Sequence, residues 1–111
     1  MTLVNVTLNQ VISKNITQAN SFFSRLKGLM FSKKEKKSIW IKPCRSIHTF
    51  FMNYSIDVLY LDKENRIAAI DQDLKPGKLG TYYPGVESVV ELPSGTVEKT
   101  RVSVGHEVKI F

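Results

Sequence analysis

Short stretches of alternating apolar and polar residues recur along the chain, and turn-forming residues separate them. Near the start, for example, Val4, Val6 and Leu8 alternate with Asn5 and Thr7. A period of two places the apolar side chains on one face of a β-strand. Because many short strands between turns favour an antiparallel sandwich or a closed barrel, we predict a compact, mostly β fold of that kind.

Local signals divide the chain into seven or eight strands and one short N-terminal helix. The predicted strands include residues 2–8, 11–16, 38–42, 56–62, 66–70 and 86–92. The helix is predicted over residues 19–27, where Phe22 and Leu26 have helical spacing and Gly28 suits a left-handed C-terminal cap. A single helical turn is also predicted after Gly95. The 111 residues are the length of one domain, so we predict a single domain over 1–111.

Positive charge is concentrated in the first half of this basic chain. The net charge is +6, and residues 1–50 hold nine basic residues but one acidic residue, Glu35. Most of this excess lies between Arg25 and Arg45, and Lys33–Lys37 has the pattern of an exposed loop. Such a stretch attracts anions such as nucleic acid, acidic lipid or phosphorylated metabolites. A solvated lysine loop that aids solubility gives the same pattern.

Cysteine content and hydropathy restrict the class of protein. Cys44 is the single cysteine, which excludes an intramolecular disulfide and a multi-cysteine metal site. The apolar runs are far shorter than the about 18 residues of a membrane span, so none is predicted. The start of the sequence shows neither the charged nor the apolar region of a secretion signal. We therefore expect a cytoplasmic location, and no motif predicts a cofactor.

Two polar side chains interrupt apolar rows and are candidate site residues. His48 shares a predicted strand face with Phe50. Asp57 shares a face with Leu59, and a carboxylate in an apolar row is costly unless it is paired. If Asp57 is buried, its partner is Arg25, His48 or backbone N–H groups. The structural alternatives are a hydrogen-bonded scaffold histidine and an aspartate that closes a turn.

Cys44 and His48 also raise the possibilities of a metal site and of catalysis. With Met52 they have the identities of a soft-metal site, but residues four apart on a strand are separated by about 13 Å. That is too far to share one ion, so no metal site is predicted. Lys42 and Arg45 favour a thiolate, which suits Cys44 as a nucleophile with His48 as its base. No oxyanion-hole pattern accompanies the pair, so catalysis is an alternative hypothesis and not the main one.

Three separated blocks of sequence carry a family resemblance. They are Arg25–Met30, then Ile47–Met52 with Ile56–Asp62, and finally Glu91–Gly95. In this order they resemble a small bacterial and archaeal family, domain of unknown function 192. The resemblance implies a compact, mostly antiparallel β sandwich or barrel with a helix near the N-terminus, and no assigned activity. The family's usual ending has Gly-Asp before the last strand, whereas this chain has Gly105-His106, so a role of that aspartate does not carry over.

The blocks contain the polar residues that the patterns single out. We predict that Arg25, His48 and Asp57 converge at one rim of the fold, with Thr49 and Asn53 nearby. The guanidinium would bind a carboxylate or phosphate through its planar fork. His48 would add a donor whose charge varies near neutral pH, and Asp57 would orient one or both.

Three functions follow from these residues. The first is a small-ligand-binding domain that prefers anions, at the rim of Arg25, His48 and Asp57. The second is an interaction module that binds nucleic acid or an acidic partner through Lys33–Lys37. The third is an enzyme built on Cys44 and His48.

Overall fold

Eight strands and one helix form within the residues that the computed structural model describes, which are 1–19, 38–50 and 52–111. In chain order they are β1 (Leu3–Asn5), β2 (Gln10–Ser13), β3 (Ile16–Ala19), β4 (Ser38–Ile41), β5 (Ile56–Asp62), β6 (Ile67–Leu74), β7 (Val86–Pro93), the helix α1 (Thr96–Thr100) and β8 (Val108–Ile110). The prediction of a mostly β fold is therefore confirmed.

The strands belong to two sheets. A three-stranded sheet has the order β2-β1-β8, and a five-stranded sheet has the order β3-β4-β7-β5-β6. The described pairs are antiparallel except β3 with β4, which are parallel. A parallel pair needs a long crossover connection, and residues 20–37 separate these two strands. Since the described strands form two sheets and no closed barrel, the sandwich is the predicted architecture that fits.

The described helix lies near the C-terminus, and the predicted N-terminal helix falls almost entirely outside the described residues. Of the segment 19–27 predicted as helical, Ala19 ends β3, and residues 20–27 lie outside the described part of the chain. The helical turn predicted after Gly95 is confirmed as α1. Gly95 has φ 94°, a left-handed conformation that suits glycine and lets the chain pass from β7 into α1. Among the described helices, none is long and apolar enough to cross a membrane.

The interior strand β5, which lies between β7 and β6, is buried on both faces. Leu59 and Leu61 belong to a first hydrophobic core, which also contains residues of β1, β8 and α1. Val58 and Tyr60 belong to a second core, which contains residues of β6 and β7 and the loop before β5. Ile47 also packs against this second core. The loop that carries the predicted site residues His48, Thr49 and Asn53 therefore lies at the edge of the second core.

Candidate functional site

Two loops pair with each other at the edge of the second core. An isolated antiparallel bridge joins His48 to Leu79. The Thr49 N–H donates to the Lys78 carbonyl at 2.7 Å, which fixes the same two segments one residue further on. We call residues 47–50 and 77–80 the paired loops.

Thr49 anchors the paired loops from the inside of the fold. The residue is fully buried, and its hydroxyl donates to the Lys75 carbonyl at 2.6 Å. The same hydroxyl oxygen accepts from the Lys78 N–H at 2.7 Å. A hydroxyl has one hydrogen to donate, and here it is used within the fold. Thr49 therefore positions residues 75–78.

Asp57 has both carboxylate oxygens bonded to backbone N–H groups. The residue lies in β5 with 0% exposure. Its Oδ1 accepts from the Asp73 N–H and its Oδ2 from the Val97 N–H, each at 2.8 Å. The sequence analysis expected Arg25, His48 or backbone N–H groups as partners, and the structure shows backbone N–H groups. Asp57 joins the end of β6 to the first turn of α1, and together with Thr49 it fixes both ends of segment 73–78.

The imidazole of His48 has an open hydrogen-bonding position. Its ring stacks on Phe50, with ring centres 5.0 Å apart and 24° between the planes. Its Nδ1 is buried and has no hydrogen-bond partner among the described residues. The hydroxyl of Tyr54, a residue that is 8% exposed, is in the same situation. Because buried polar atoms are nearly always paired, these two unpaired atoms single out residues 48–54 as a candidate site.

The other predicted site residues are placed differently. Asn53 is exposed and directly precedes Tyr54. Arg25 lies outside the described residues, and so do Lys33–Lys37. The structure therefore places His48 beside the anchoring residue Thr49, and the convergence of His48 with Arg25 stays a prediction.

The described hydrogen bonds of Cys44 join its loop to neighbouring backbone. Its thiol donates to the Ser46 carbonyl at 3.1 Å, and its N–H donates to the Glu87 carbonyl at 3.0 Å. The second bond ties the loop after β4 to β7. Catalysis by Cys44 with His48 stays a prediction. Within the described ranges, no group of three or more His, Cys, Asp or Glu side chains is arranged to bind a metal ion.

A tyrosine–aspartate pair that the sequence analysis did not identify supports the loop after β6. Tyr60 is fully buried, and its hydroxyl donates to Asp71 Oδ2 at 2.6 Å. Burial raises the pKa of Tyr60 far above its ordinary value, and the hydrogen bond and charge of Asp71 add to this effect. Asp71 also accepts from the Thr81 N–H at 3.1 Å. A Cβ on Gly80 would lie 2.5 Å from the Tyr60 hydroxyl oxygen, so the close approach of this loop to Tyr60 requires a glycine.

The second histidine, His106, has a structural role. Its Nδ1 accepts from the side-chain amide of Asn5 at 2.9 Å and from the Ser103 N–H at 3.2 Å. Asn5 is fully buried, so its amide needs an acceptor inside the fold. An aspartate, which the resembled family has at this position, would also supply an acceptor.

Two archaeal proteins are similar to this chain in sequence. UPF0127 protein PH1112 from Pyrococcus horikoshii is 34% identical over 116 residues, which cover 98% of this chain and 98% of that protein. A UPF0127 protein from Thermococcus sibiricus is 30% identical over 115 residues, which cover 96% of this chain and 72% of that protein. These alignments extend over nearly the whole of this chain.

Two solved bacterial structures have the same fold. One is a protein of unknown function from Novosphingobium aromaticivorans, with a TM-score of 0.81, 15% identity, and coverage of 98% of this chain and 82% of that chain. The other, from Sinorhizobium meliloti, is provisionally named a transcription regulator, with a TM-score of 0.82, 18% identity, and coverage of 97% and 89%. The family model of domain of unknown function 192, described as "Uncharacterized ACR", matches residues 4–110. This chain therefore belongs to the domain of unknown function 192 family.

Proposed function

We propose that this protein binds a small anionic ligand, bearing a carboxylate or a phosphate, at the open hydrogen-bonding positions of His48 and Tyr54. The observation that supports this is the pair of buried polar atoms, within residues 48–54, that have no partner among the described residues. A protonated Nδ1 and a tyrosine hydroxyl are both donors. Donors that bond to an ionised acceptor make the stronger class of hydrogen bonds, so an anion suits both positions.

The other candidate residues complete the proposed site in different ways. Arg25 would supply the planar fork that binds a carboxylate or phosphate, and Asn53 would add an exposed amide. Thr49 and Asp57 act as positioning residues, because their hydrogen bonds fix the segment that pairs with His48. The net charge of +6 attracts anions to the protein as a whole.

Calorimetry and thermal unfolding, with inorganic phosphate and succinate as probes, test the proposal. His48→Phe keeps a ring that stacks on Phe50 but removes both nitrogens, and Tyr54→Phe removes only a hydroxyl. Each variant should weaken binding about tenfold or more, because a hydrogen bond to a charged group contributes about 1.5–3 kcal/mol. Tyr82→Phe removes the hydroxyl of an exposed tyrosine, so it is the matched control and should bind like the wild type.

The stability of the protein without ligand tests the same positions independently. Removing a buried hydroxyl that has no partner should leave stability unchanged or raise it, so Tyr54→Phe should unfold at the wild-type temperature or above. The proposal is wrong if neither probe stabilises the wild type, or if both site variants bind like the wild type. Arg25→Ala should also weaken binding, and unchanged affinity would remove Arg25 from the site.

A second candidate function, binding of nucleic acid or an acidic partner, is favoured by the charge of the first half of the chain. Residues 1–50 hold nine basic residues and one acidic residue. If Lys33–Lys37 bind duplex DNA, the logarithm of the affinity should fall with the logarithm of salt concentration by about 0.9 for each phosphate contacted. Replacing the four lysines of this run by serine should abolish that binding and preserve binding of inorganic phosphate.

A further inference from the structure

Large apolar side chains are exposed around the His48 imidazole. Phe50, which stacks on His48, is 42% exposed. On the facing loop, Leu79, which pairs with His48, is 73% exposed. Contiguous apolar patches of several hundred Å² on a small protein usually mark binding surfaces, so exposed side chains beside an open polar position call for a functional explanation.

The anchors of the two loops fix this exposed apolar surface. Thr49 is bonded to Lys75 and Lys78. Asp71 accepts from both the N–H and the hydroxyl of Thr81, at 3.1 and 3.3 Å. The backbone is therefore held on both sides of the residue that faces His48, and the loop cannot fold over Phe50 without breaking these bonds. A surface that is already ordered loses little conformational freedom when a ligand binds.

We infer that the anion bound at His48 carries a flat aromatic ring, which stacks on the face of Phe50 turned away from His48. This inference rests on the proposed function. The imidazole occupies one face of the Phe50 ring, with 5.0 Å between ring centres. A ligand ring on the other face adds a second spacing of similar size, so it would lie about 10 Å from the imidazole.

That separation determines the class of ligand. The anionic group must reach the imidazole while the ring lies beyond Phe50, so a spacer of several bonds has to join them. A nucleoside monophosphate has this arrangement, with a flat base, a ribose as the spacer and a phosphate. Nucleobases stack on exposed aromatic side chains whatever their sequence, because every base has a π-face. The geometry therefore assigns the site to a mononucleotide.

Titration calorimetry with AMP, ribose 5-phosphate and inorganic phosphate separates the two parts of the ligand. AMP should bind about fivefold to hundredfold more tightly than ribose 5-phosphate, which is the effect of stacking one base on an aromatic ring. Phe50→Leu should remove most of this ratio and leave the affinity for ribose 5-phosphate unchanged, whereas Phe50→Trp should keep the ratio or raise it. Phe111→Leu changes another exposed phenylalanine, so it is the matched control and should keep the wild-type ratio.

The outcomes separate this inference from the proposed function. If ribose 5-phosphate binds and AMP binds no more tightly, the inference is wrong and the anion site stands. If AMP binds more tightly but Phe50→Leu keeps the full ratio, the inference is also wrong, because the base then stacks elsewhere. If none of the three probes binds, both the inference and a phosphate site are wrong. Thermal unfolding of Phe50→Leu near the wild-type temperature shows that the variant is folded.

Discussion

Replacing Asp57 by alanine should destabilise the protein strongly, because the buried carboxylate is the acceptor for two backbone N–H groups. Asp57 has 0% exposure, and its oxygens accept from Asp73 and Val97. Alanine would leave both N–H groups without this acceptor inside the fold. An unsatisfied buried donor costs about 1–3 kcal/mol, so two cost about 2–6 kcal/mol. A typical domain has about 5–15 kcal/mol of stability, of which this is a large part.

Asp57→Asn should lose only part of the stability that Asp57→Ala loses. The amide keeps the size of the side chain and one acceptor oxygen, but its NH₂ group would face the second backbone N–H, so about half of the loss should remain. Urea unfolding followed by the fluorescence of Trp40, the single tryptophan, which packs against the first core, measures the change. We expect the order wild type, Asp57→Asn, Asp57→Ala.

Asp62 provides a matched control for burial. Its Oδ1 also accepts from two backbone N–H groups, at 2.9 Å each, but in an exposed turn where water can replace it. Asp62→Ala should therefore cost no more than about 1.5 kcal/mol. An equal loss for Asp57→Ala and Asp62→Ala would refute the argument from burial. An Asp57→Asn variant of full stability that no longer binds phosphate would show instead that Asp57 contacts the ligand.

Substitutions at three further positions test other hydrogen bonds. Burial and the hydrogen bond to Asp71 raise the pKa of Tyr60, so its contribution to stability is complete below about pH 10 and is lost as pH rises further, because the tyrosine ionises first in the unfolded chain. Tyr60→Phe should flatten this alkaline loss in urea titrations, and an unchanged slope would contradict the raised pKa of Tyr60. The hydrogen bond from Lys75 lowers the pKa of Asp73, so stability should fall as pH drops below about 4, and Asp73→Asn should lose that part of the acid dependence. His106→Leu removes an acceptor for two donors and should cost about 1–3 kcal/mol in urea unfolding, whereas His106→Asp should cost less; equal losses would show that the acceptor is unimportant.

Local patterns in the sequence predicted the bounds of the middle strands well, but the predicted strand 2–8 is longer than β1, and the predicted strand 11–16 extends over parts of both β2 and β3. The predicted segment 56–62 has the bounds of β5, and 86–92 differs from β7 by one residue. Alternation and turn residues are local properties, so they report where a strand begins and ends. The parallel pairing of β3 with β4 depends on contact between segments that residues 20–37 separate, and no local period encodes that contact.

The sequence identified a site residue whose burial in an apolar row is costly. It did not identify a contact that depends on the register between two strands. Asp57 stood out because a carboxylate in an apolar row needs partners, but the row does not tell which N–H groups the fold brings to it. Tyr60 fits its apolar row and raised no such question. Its partner Asp71 is opposite Val58 in the β5–β6 ladder, and irregularities on both sides of that position shift the register. The diagonal contact from Tyr60 to Asp71 is therefore a property of the bulged ladder.

The distribution of hydrogen-bonded and unpaired polar atoms favours the proposed binding surface and argues against a poorly packed loop. If the open atoms were packing faults, the anchors of the same loop should be poorly satisfied as well. Instead, Thr49 and Asp57 each make two hydrogen bonds of 2.8 Å or shorter. Trp40 also has an open Nε1, but it packs against the first core, whereas His48 and Tyr54 lie on the loop at the edge of the second. The side chains that fix the loop are therefore hydrogen-bonded, and the unpaired atoms are on their neighbours, as we expect of the proposed site if it is ordered before its ligand binds.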